Sequence, residues 1–346
     1  GLDAVQTLIS GLSPQDRVQV AAVDLKLVSM SGGFVAPQSG PCKQAMQRLQ
    51  DRTPLGSTDM VNGLESAAQA FDRGKTVARH IVYVGDGVSH ADVLSKDQFS
   101  AVAKRLASER ITVSSYAIGP HRAIHLLVAL ANQTGGQVFV DGADTTGQQA
   151  GQSLVSAVAS PVAWPNGKGL ERLGAECFPR AIPPLRQDRD SILIGKLPTT
   201  ASDLDQPIVL HGTSAGSVVE LTWDCQVHES SDDYSFLPRL VEMAQADGGA
   251  SLPTLNSEAL QEIRRLMVAG SDSLGRVGGQ ALASGNLSGA KLLADEALQQ
   301  DPGNPQALAL KGAVQQKSDE AIRTQTLLVQ DEALQLGPRE VIPDQT

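Results

Sequence analysis

Two glycine-containing segments carry hydroxyl and carboxylate side chains, whose oxygens could bind a ligand or take part in catalysis. The first, Gly56-Ser57-Thr58-Asp59, stands at the head of a predicted helix, and the second, Gly85-Asp86-Gly87, follows the apolar run Arg79–Val84. That run is typical of a buried parallel strand, and a functional turn often follows such a strand. Taken locally, the oxygens have structural roles, because Thr58 would cap the helix and Asp86 would shape the turn.

A third segment, Gly212–Gly216, reads G-T-S-A-G and matches the G-x-S-x-G pattern of serine hydrolases. That pattern needs a strand before the serine and a helix after it. Residues 208–210 predict the strand, but Val218–Trp223 predict a second strand in place of the helix. A glycine-rich hairpin turn therefore explains the segment better, and a hydrolase that uses Ser214 is kept as the alternative from a different functional class.

The remaining ionisable residues give weaker signals. His121 and His125 lie four residues apart, but the intervening residues are Arg, Ala and Ile, so the H-E-x-x-H pattern of zinc proteases is missing. They are interpreted as histidines at a helix end and at the edge of a core. The neighbouring acids are interpreted as solvated loop residues; they are Asp188, Asp190, Asp232 and Asp233.

Composition bounds the classes of function. The chain has 346 residues, a length that predicts two or three domains. Hydrophobic residues make up 41% of it, an ordinary fraction for folded domains. The formal net charge is −10, and no Lys/Arg cluster is present, so nucleic acid is excluded as a partner. No apolar stretch reaches the roughly 20 residues of a transmembrane helix.

Alternation of strands and helices dominates the first 160 residues. Helical spacing is followed by a strand pair within Arg17–Met30, and later strands alternate with helices of ordinary length. The predicted strands of the main sheet are Arg79–Val84, Ile111–Ile118 and Gln137–Val140. This order predicts an α/β fold with a doubly wound, mostly parallel sheet of the Rossmann type, covered by helices on both faces.

The sequence pattern changes after residue 160. Residues 161–235 contain many prolines and short β-like runs, which predict a small antiparallel β-domain, and residues 236–317 predict several short helices. Residues 318–346 are predicted to be a polar tail with one helix through Leu334.

The order of elements over residues 1–160, together with the G-S-T-D and G-D-G segments, resembles a von Willebrand factor A domain. That family carries a metal-ion-dependent adhesion site at the carboxyl edge of its sheet. The resemblance implies that Thr58 and Asp86 are metal ligands, and that the ion is a hard cation such as Mg²⁺. It also implies a non-enzymatic protein–protein interaction module, in which a partner's carboxylate takes the open coordination position.

The sequence departs from that family at one point. The first family strand and its D-x-S-x-S motif are not in it, so we expect the domain to be incomplete at its N-terminus and the metal site to be completed by residues upstream of Gly1. Two of five expected ligand positions are present, which predicts weak Mg²⁺ binding or none by this chain alone. A purely structural scaffold is the remaining alternative.

Two further resemblances concern the second half. The segment Pro179–Leu197 is similar to the β-segment after the A domain in bacterial proteins of the inter-alpha-trypsin-inhibitor heavy-chain type, with any β-sandwich linker as the alternative. Leu287–Gln300, the D-P-G-N-P turn and Ala307–Val314 resemble about one and a half tetratricopeptide repeats, with a plain helical hairpin as the alternative.

Three cysteines are too few for a disulfide scaffold. Cys177 and Cys225 fall in the predicted β-domain and would bridge only in an exported protein, while Cys42 should stay unpaired. No signal peptide is visible. The compartment stays open, with an exported or cell-envelope location favoured over the cytoplasm.

Overall fold

The computed structural model describes residues 1–53, 58–72, 77–89, 95–142, 144–167, 176–196, 207–224, 231, 234–245, 248–249, 252, 255 and 257–335. The described chain divides into two compact units. The first comprises Gly1–His228 with Leu240–Gln261, and the second comprises Glu229–Arg239 with Glu262–Thr346. None of the described helices is long and apolar enough to cross a membrane.

The N-terminal half of the first unit is an α/β fold. Its elements, in chain order, are α1 (Leu2–Gly11), β1 (Ala21–Val23), β2 (Leu27–Ser29), α2 (Gly40–Gln50), α3 (Met60–Gln69), β3 (Arg79–Gly85), α4 (Lys96–Ser108), β4 (Ile111–Ala117), α5 (Ile124–Thr134), β5 (Val138–Val140) and α6 (Gly147–Ala159).

The main sheet has the order β3-β4-β5, and both pairings are parallel. In register, Arg79 stands opposite Ile111 and Ser115 opposite Val138. The prediction of three parallel neighbouring strands joined through helices is confirmed, and so is the doubly wound fold class. The segment predicted as a strand pair is the antiparallel hairpin β1–β2.

Helices cover both faces of this sheet. Alternate residues of β3 divide between two cores, because successive strand side chains point to opposite faces. Ile81 and Tyr83 pack against a cluster formed with α3, α4 and α5. Val82 and Val84 pack against a cluster formed with α1 and α6.

The prediction that β3 is buried is only partly correct, because the strand is more exposed than a fully buried one. Every residue of β4 is buried, whereas every residue of β3 is only half-buried. The reason is position in the sheet, because β4 has a strand on each side and β3 pairs with β4 alone among the described residues.

Two antiparallel sheets follow in the same unit. The larger has the order β11-β10-β6-β8 and the smaller consists of β7 and β9. Their strands are β6 (Val162–Pro165), β7 (Glu176–Phe178), β8 (Leu185–Arg186), β9 (Ile194–Lys196), β10 (Ile208–Ser214) and β11 (Ser217–Trp223). The expected antiparallel β-region is therefore present. Its proposed boundaries, and the likeness to one particular β-segment, stay predictions.

The later described helices are α7 (Leu237–Gln245), α8 (Ser257–Ala283), α9 (Leu287–Gln300) and α10 (Pro305–Gln335). Of these, α8 and α10 are longer than the sequence pattern indicated, whereas α9 has the predicted bounds. Residues 275–283 are the last part of α8 and do not form one of the several short helices predicted within 236–317. The sequence predicts a helix through Leu334 within the polar tail, and α10 continues to Gln335. The start of that tail at residue 318 stays a prediction.

Close packing explains why glycines do not end α8. A Cβ at Gly278 would lie 2.4 Å from the Leu310 side chain, and one at Gly270 would lie 2.4 Å from the Gln300 side chain. These glycines therefore let α8 approach its neighbours closely, and that contact offsets their poor helix propensity.

Candidate functional site

Asp86 forms two hydrogen bonds that hold the turn after β3. The Asp86 Oδ1 accepts a hydrogen bond from the Val88 amide at 2.9 Å, and the Asp86 carbonyl accepts one from the Ala123 amide at 2.8 Å. Gly87 has φ +75°, a conformation that disfavours any residue with a Cβ. Asp86 therefore lies on a hydrogen-bonded turn at the carboxyl end of β3.

The segment that carries Thr58, just before α3, lies beside the turn after β3. Its carbonyl accepts a hydrogen bond from the Ser89 hydroxyl at 3.3 Å, and the same hydroxyl lies 3.5 Å from the Met60 amide that donates to it. Ser89 comes three residues after Asp86, so the head of α3 and the turn after β3 are joined directly. Gly56 and Ser57 lie outside the described residues.

The local role expected for Thr58 is wrong. Asp59 is the N-cap of α3, and its side chain accepts a hydrogen bond from the Asn62 amide at 2.9 Å. The cap therefore falls one residue later than the sequence pattern indicated, and Thr58 has no part in it. The Asp59 amide in turn donates to the Asp24 carbonyl at 2.8 Å, which ties the head of α3 to the turn of the β1–β2 hairpin.

Further polar residues that the sequence analysis did not select lie at the ends of β4 and β5. The Tyr116 hydroxyl donates to Asp141 Oδ1 at 2.6 Å, and Arg122 donates to the Asp141 carbonyl at 2.6 Å. Burial, together with the hydrogen bond and the charge of Asp141, raises the pKa of Tyr116 to about 12. The position of Asp141 directly after a predicted strand was the signal that could have found it.

A polar cavity of about 310 Å³ lies beside this edge. Most of its lining belongs to α3 and its N-cap, and Ser89 and Gln98 complete it. The lining residues are Asp59, Val61, Asn62, Glu65, Ser66, Gln69, Ser89 and Gln98. Ser89 therefore belongs both to the cavity and to the hydrogen bond that holds Thr58.

The other sequence candidates are not brought together. His121 precedes α5 while His125 lies within it, and both are exposed, so they share no helix face. Within the described residues, no group of three His, Cys, Asp or Glu side chains could hold a metal ion. Cys177 is half-buried in β7 and Cys225 lies outside the described residues, so their pairing stays a prediction.

The hydrolase alternative is wrong. Ser214 ends β10 and pairs with Ser217 at the start of β11, and Ala215 and Gly216 form the turn with φ +48° and +83°. A nucleophile elbow would require a helix after the serine. The segment is the hairpin turn that the sequence favoured.

Comparisons with known proteins agree with the geometry. A family model described as von Willebrand factor type A domain matches residues 2–139. No curated protein matches the sequence.

Several solved structures are similar to this chain at low identity and with TM-scores below 0.5. A von Willebrand factor type A protein from Catenulispora acidiphila is 14% identical with a TM-score of 0.46, over 86% of this chain and 73% of that one. The ArnB paralog VWA2 from Sulfolobus acidocaldarius is 10% identical with a TM-score of 0.40, over 91% and 81%. The manganese-loaded TRAP protein of Plasmodium vivax is 12% identical with a TM-score of 0.35, over 66% and 86%. The sequence match and the parallel sheet with flanking helices support a von Willebrand factor type A domain over residues 2–139 of this chain, a type of domain that generally serves in protein interaction.

Proposed function

We propose that the carboxyl edge of the β3-β4-β5 sheet is a protein-contact surface and that Thr58 and Asp86 are ligands of a Mg²⁺ ion there. The observation that carries the proposal is the hydrogen bond from Ser89 to the Thr58 carbonyl, because it joins the Thr58 segment to the Asp86 turn. Ligands of doubly wound sheets bind at this edge.

The donor chemistry fits a hard cation. A threonine hydroxyl and an aspartate carboxylate are oxygen ligands, which Mg²⁺ prefers. Asp86 Oδ1 is engaged by the Val88 amide, while Oδ2 makes no hydrogen bond to a described residue and is free to bind an ion. Two ligands leave most of an octahedral shell to water, so we propose that this chain alone binds weakly and that an Asp-x-Ser-x-Ser loop completes the site.

The proposed role is non-enzymatic. A partner protein would present a carboxylate at the open position of the ion, and the bound ion would supply the positive charge that attracts it. The acidic chain, with a formal net charge of −10, would otherwise repel such a group.

Calorimetric titration of Mg²⁺ tests the metal part. We expect little or no heat of binding with this chain and a saturable signal once an Asp-x-Ser-x-Ser loop is placed upstream of Gly1. Asp86→Ala should abolish that signal, because it removes much of the negative charge the ion needs. Asp51→Ala, at the end of α2, removes an exposed charge of the same type and should leave the titration unchanged. Equal binding by the short and extended chains would overturn the assignment of Thr58 and Asp86.

A further inference from the structure

A second cavity, of about 270 Å³, lies far along the sequence from the Thr58–Asp86 edge, between the end of α4 and the larger antiparallel sheet. Its lining residues are Ala107, Arg110, Trp164, Pro165, Asn166, His211, Gly212, Thr213 and Val218. All of them belong to the first compact unit. Nothing in the proposed metal-dependent contact uses this cavity.

The register of the sheet explains the apolar side of the cavity. Thr213 of β10 stands opposite Trp164 of β6 on one side and opposite Val218 of β11 on the other. Directly paired residues present their side chains on the same face of a sheet. Trp164, Thr213 and Val218 therefore form one row across three strands, with an indole at one end and an aliphatic group at the other.

This row is only partly covered. Val218 is 83% exposed, although it is a large aliphatic residue on a sheet face, and Trp164 is half-buried. A flat indole beside an exposed aliphatic group is a surface on which a ring can stack.

The polar groups of the cavity include a hydroxyl without a partner. Thr213 Oγ1 is buried and makes no hydrogen bond, and a polar atom left in that state costs free energy unless something satisfies it. Thr213 stands at the centre of the row, so a ligand stacked between Trp164 and Val218 would lie next to this residue, and the hydroxyl would turn toward the ligand to gain a partner.

The cavity also has a cation at its rim. Arg110 is exposed, and its guanidinium makes no hydrogen bond or ion pair with a described residue. His211, the other basic group in the lining, faces Glu220 with 3.4 Å between Nδ1 and Oε2. Arg110 is therefore the group that would bind an anion, and a guanidinium binds a carboxylate through two parallel hydrogen bonds.

We propose that this cavity, named here the Trp164 cavity, binds a small organic acid whose carboxylate is attached to a single ring. The ring would stack on Trp164, the Thr213 hydroxyl would hydrogen-bond to the ligand, and Arg110 would bind the carboxylate. The volume of about 270 Å³ is just below the roughly 300–1,000 Å³ range of pockets for drug-sized ligands, which suits a ligand with a single ring. Both an aromatic acid and a sugar acid have this chemistry.

Tryptophan emission reports directly on the cavity. The chain has two tryptophans, and Trp223 does not line the cavity, so a Trp223→Phe background leaves Trp164 as the sole indole. In that background we would titrate benzoate and glucuronate as the two carboxylate probes, with benzyl alcohol and glucose as their uncharged counterparts. We expect a saturable change in Trp164 emission with at least one acid. Its uncharged counterpart should bind about tenfold more weakly, or more weakly still. Saturation by benzoate alone identifies an aromatic acid, and saturation by glucuronate alone identifies a sugar acid.

Three variants separate a binding site from a structural role. Arg110→Asn, chosen because Arg110 has φ +53° and asparagine tolerates that conformation, should weaken binding about tenfold or more. Thr213→Val should weaken binding several-fold without lowering the melting temperature, because the hydroxyl has no partner to lose. Lys104→Gln removes an exposed cation of α4 that does not line the cavity, and it should change nothing.

The proposal is overturned if neither acid changes Trp164 emission up to tens of millimolar, or if the uncharged probes bind as well as the acids. It is also overturned if Arg110→Asn and Lys104→Gln have the same effect.

Discussion

At the scale of single residues, the most demanding interaction in the first unit is a buried arginine. The side chain of Arg186 is fully buried and donates to the Gly135 and Ala157 carbonyls at 3.0 and 2.9 Å. It also forms two hydrogen bonds of 2.7 Å with the Asp188 carboxylate. These contacts join β8 to the ends of α5 and α6. Arg186 therefore ties the antiparallel sheet to the α/β part of the unit.

Removing the guanidinium should be costly. Arg186→Met leaves Asp188 without its counter-ion and two carbonyls without donors, so we expect a loss of about 3–5 kcal/mol in the free energy of unfolding. Urea unfolding followed by tryptophan emission measures it, because both tryptophans lie in the first unit. Arg180→Met is the matched control, since Arg180 is 69% exposed and lies 3.9 Å from its partner Glu176. A similar loss in both variants would contradict this account.

The same pair makes stability depend on pH. Burial alone would raise the pKa of Asp188, but hydrogen bonds from Arg186, Ser160 and Gln137 and the charge of Arg186 lower it from 3.8 to about 2. A depressed carboxyl pKa contributes stability above its unfolded value, and that contribution is lost as the pH falls through the folded value. We expect wild-type protein to exceed Asp188→Asn in urea resistance at neutral pH and to lose this advantage between about pH 3.8 and 2. A constant difference down to about pH 2 would refute the assignment.

At the scale of elements, the contact of α1 with α6 depends on a missing side chain. A Cβ at Gly151 of α6 would lie 2.6 Å from the Ala4 carbonyl oxygen and 2.5 Å from the Thr7 Cβ. Backbone atoms cannot move aside as a flexible side chain can, so a larger residue would separate the helices.

Gly151→Ala should therefore destabilise the first unit by about 1–3 kcal/mol, although alanine is the better helix former. Gly40→Ala is the control, because no atom lies within 4 Å of a Cβ at the start of α2. The control should leave the urea midpoint unchanged or raise it slightly. If Gly151→Ala behaved like the control, α1 and α6 would have room for a Cβ between them, and this account of their contact would be wrong.

The element scale also shows how far sequence patterns reach. The apolar run at Arg79–Val84 predicted β3 within one residue, and the later strands were equally clear, because a parallel strand between helices needs a continuous apolar segment. The length of α8 could not be predicted in this way. Its glycines indicate a break when taken alone, and only the neighbours they approach, Gln300 and Leu310, make them favourable.

At the scale of the whole molecule, the division into two units makes a thermodynamic prediction. In the second unit, Asn304 is buried, its side-chain oxygen accepts from the Gln306 and Ala307 amides at 3.0 Å, and its Nδ2 donates to Asp272 at 2.7 Å. Asn304→Ala removes all three bonds and should cost about 1–3 kcal/mol.

Two spectroscopic probes separate the units. Tryptophan emission reports on the first unit alone, while far-ultraviolet circular dichroism also follows the helices of the second. We expect Asn304→Ala to lower the midpoint of the helical signal and leave the emission midpoint unchanged, and Arg186→Met to lower the emission midpoint. Parallel shifts of both signals in both variants would show one cooperative unit instead of two.

Local sequence patterns alone predict the α/β order, the parallel strands and the segments that carry Thr58 and Asp86, because hydrophobic periodicity and turn residues are local properties of a chain. The packing of the folded chain fixes what depends on neighbours distant in sequence. It moved the helix cap to Asp59, joined the Thr58 segment to the Asp86 turn through Ser89, and left β3 half-buried. It also placed Trp164, Thr213 and Arg110 around one cavity. Burial, pairing and cavity shape are properties of the packed chain, and no local pattern encodes them.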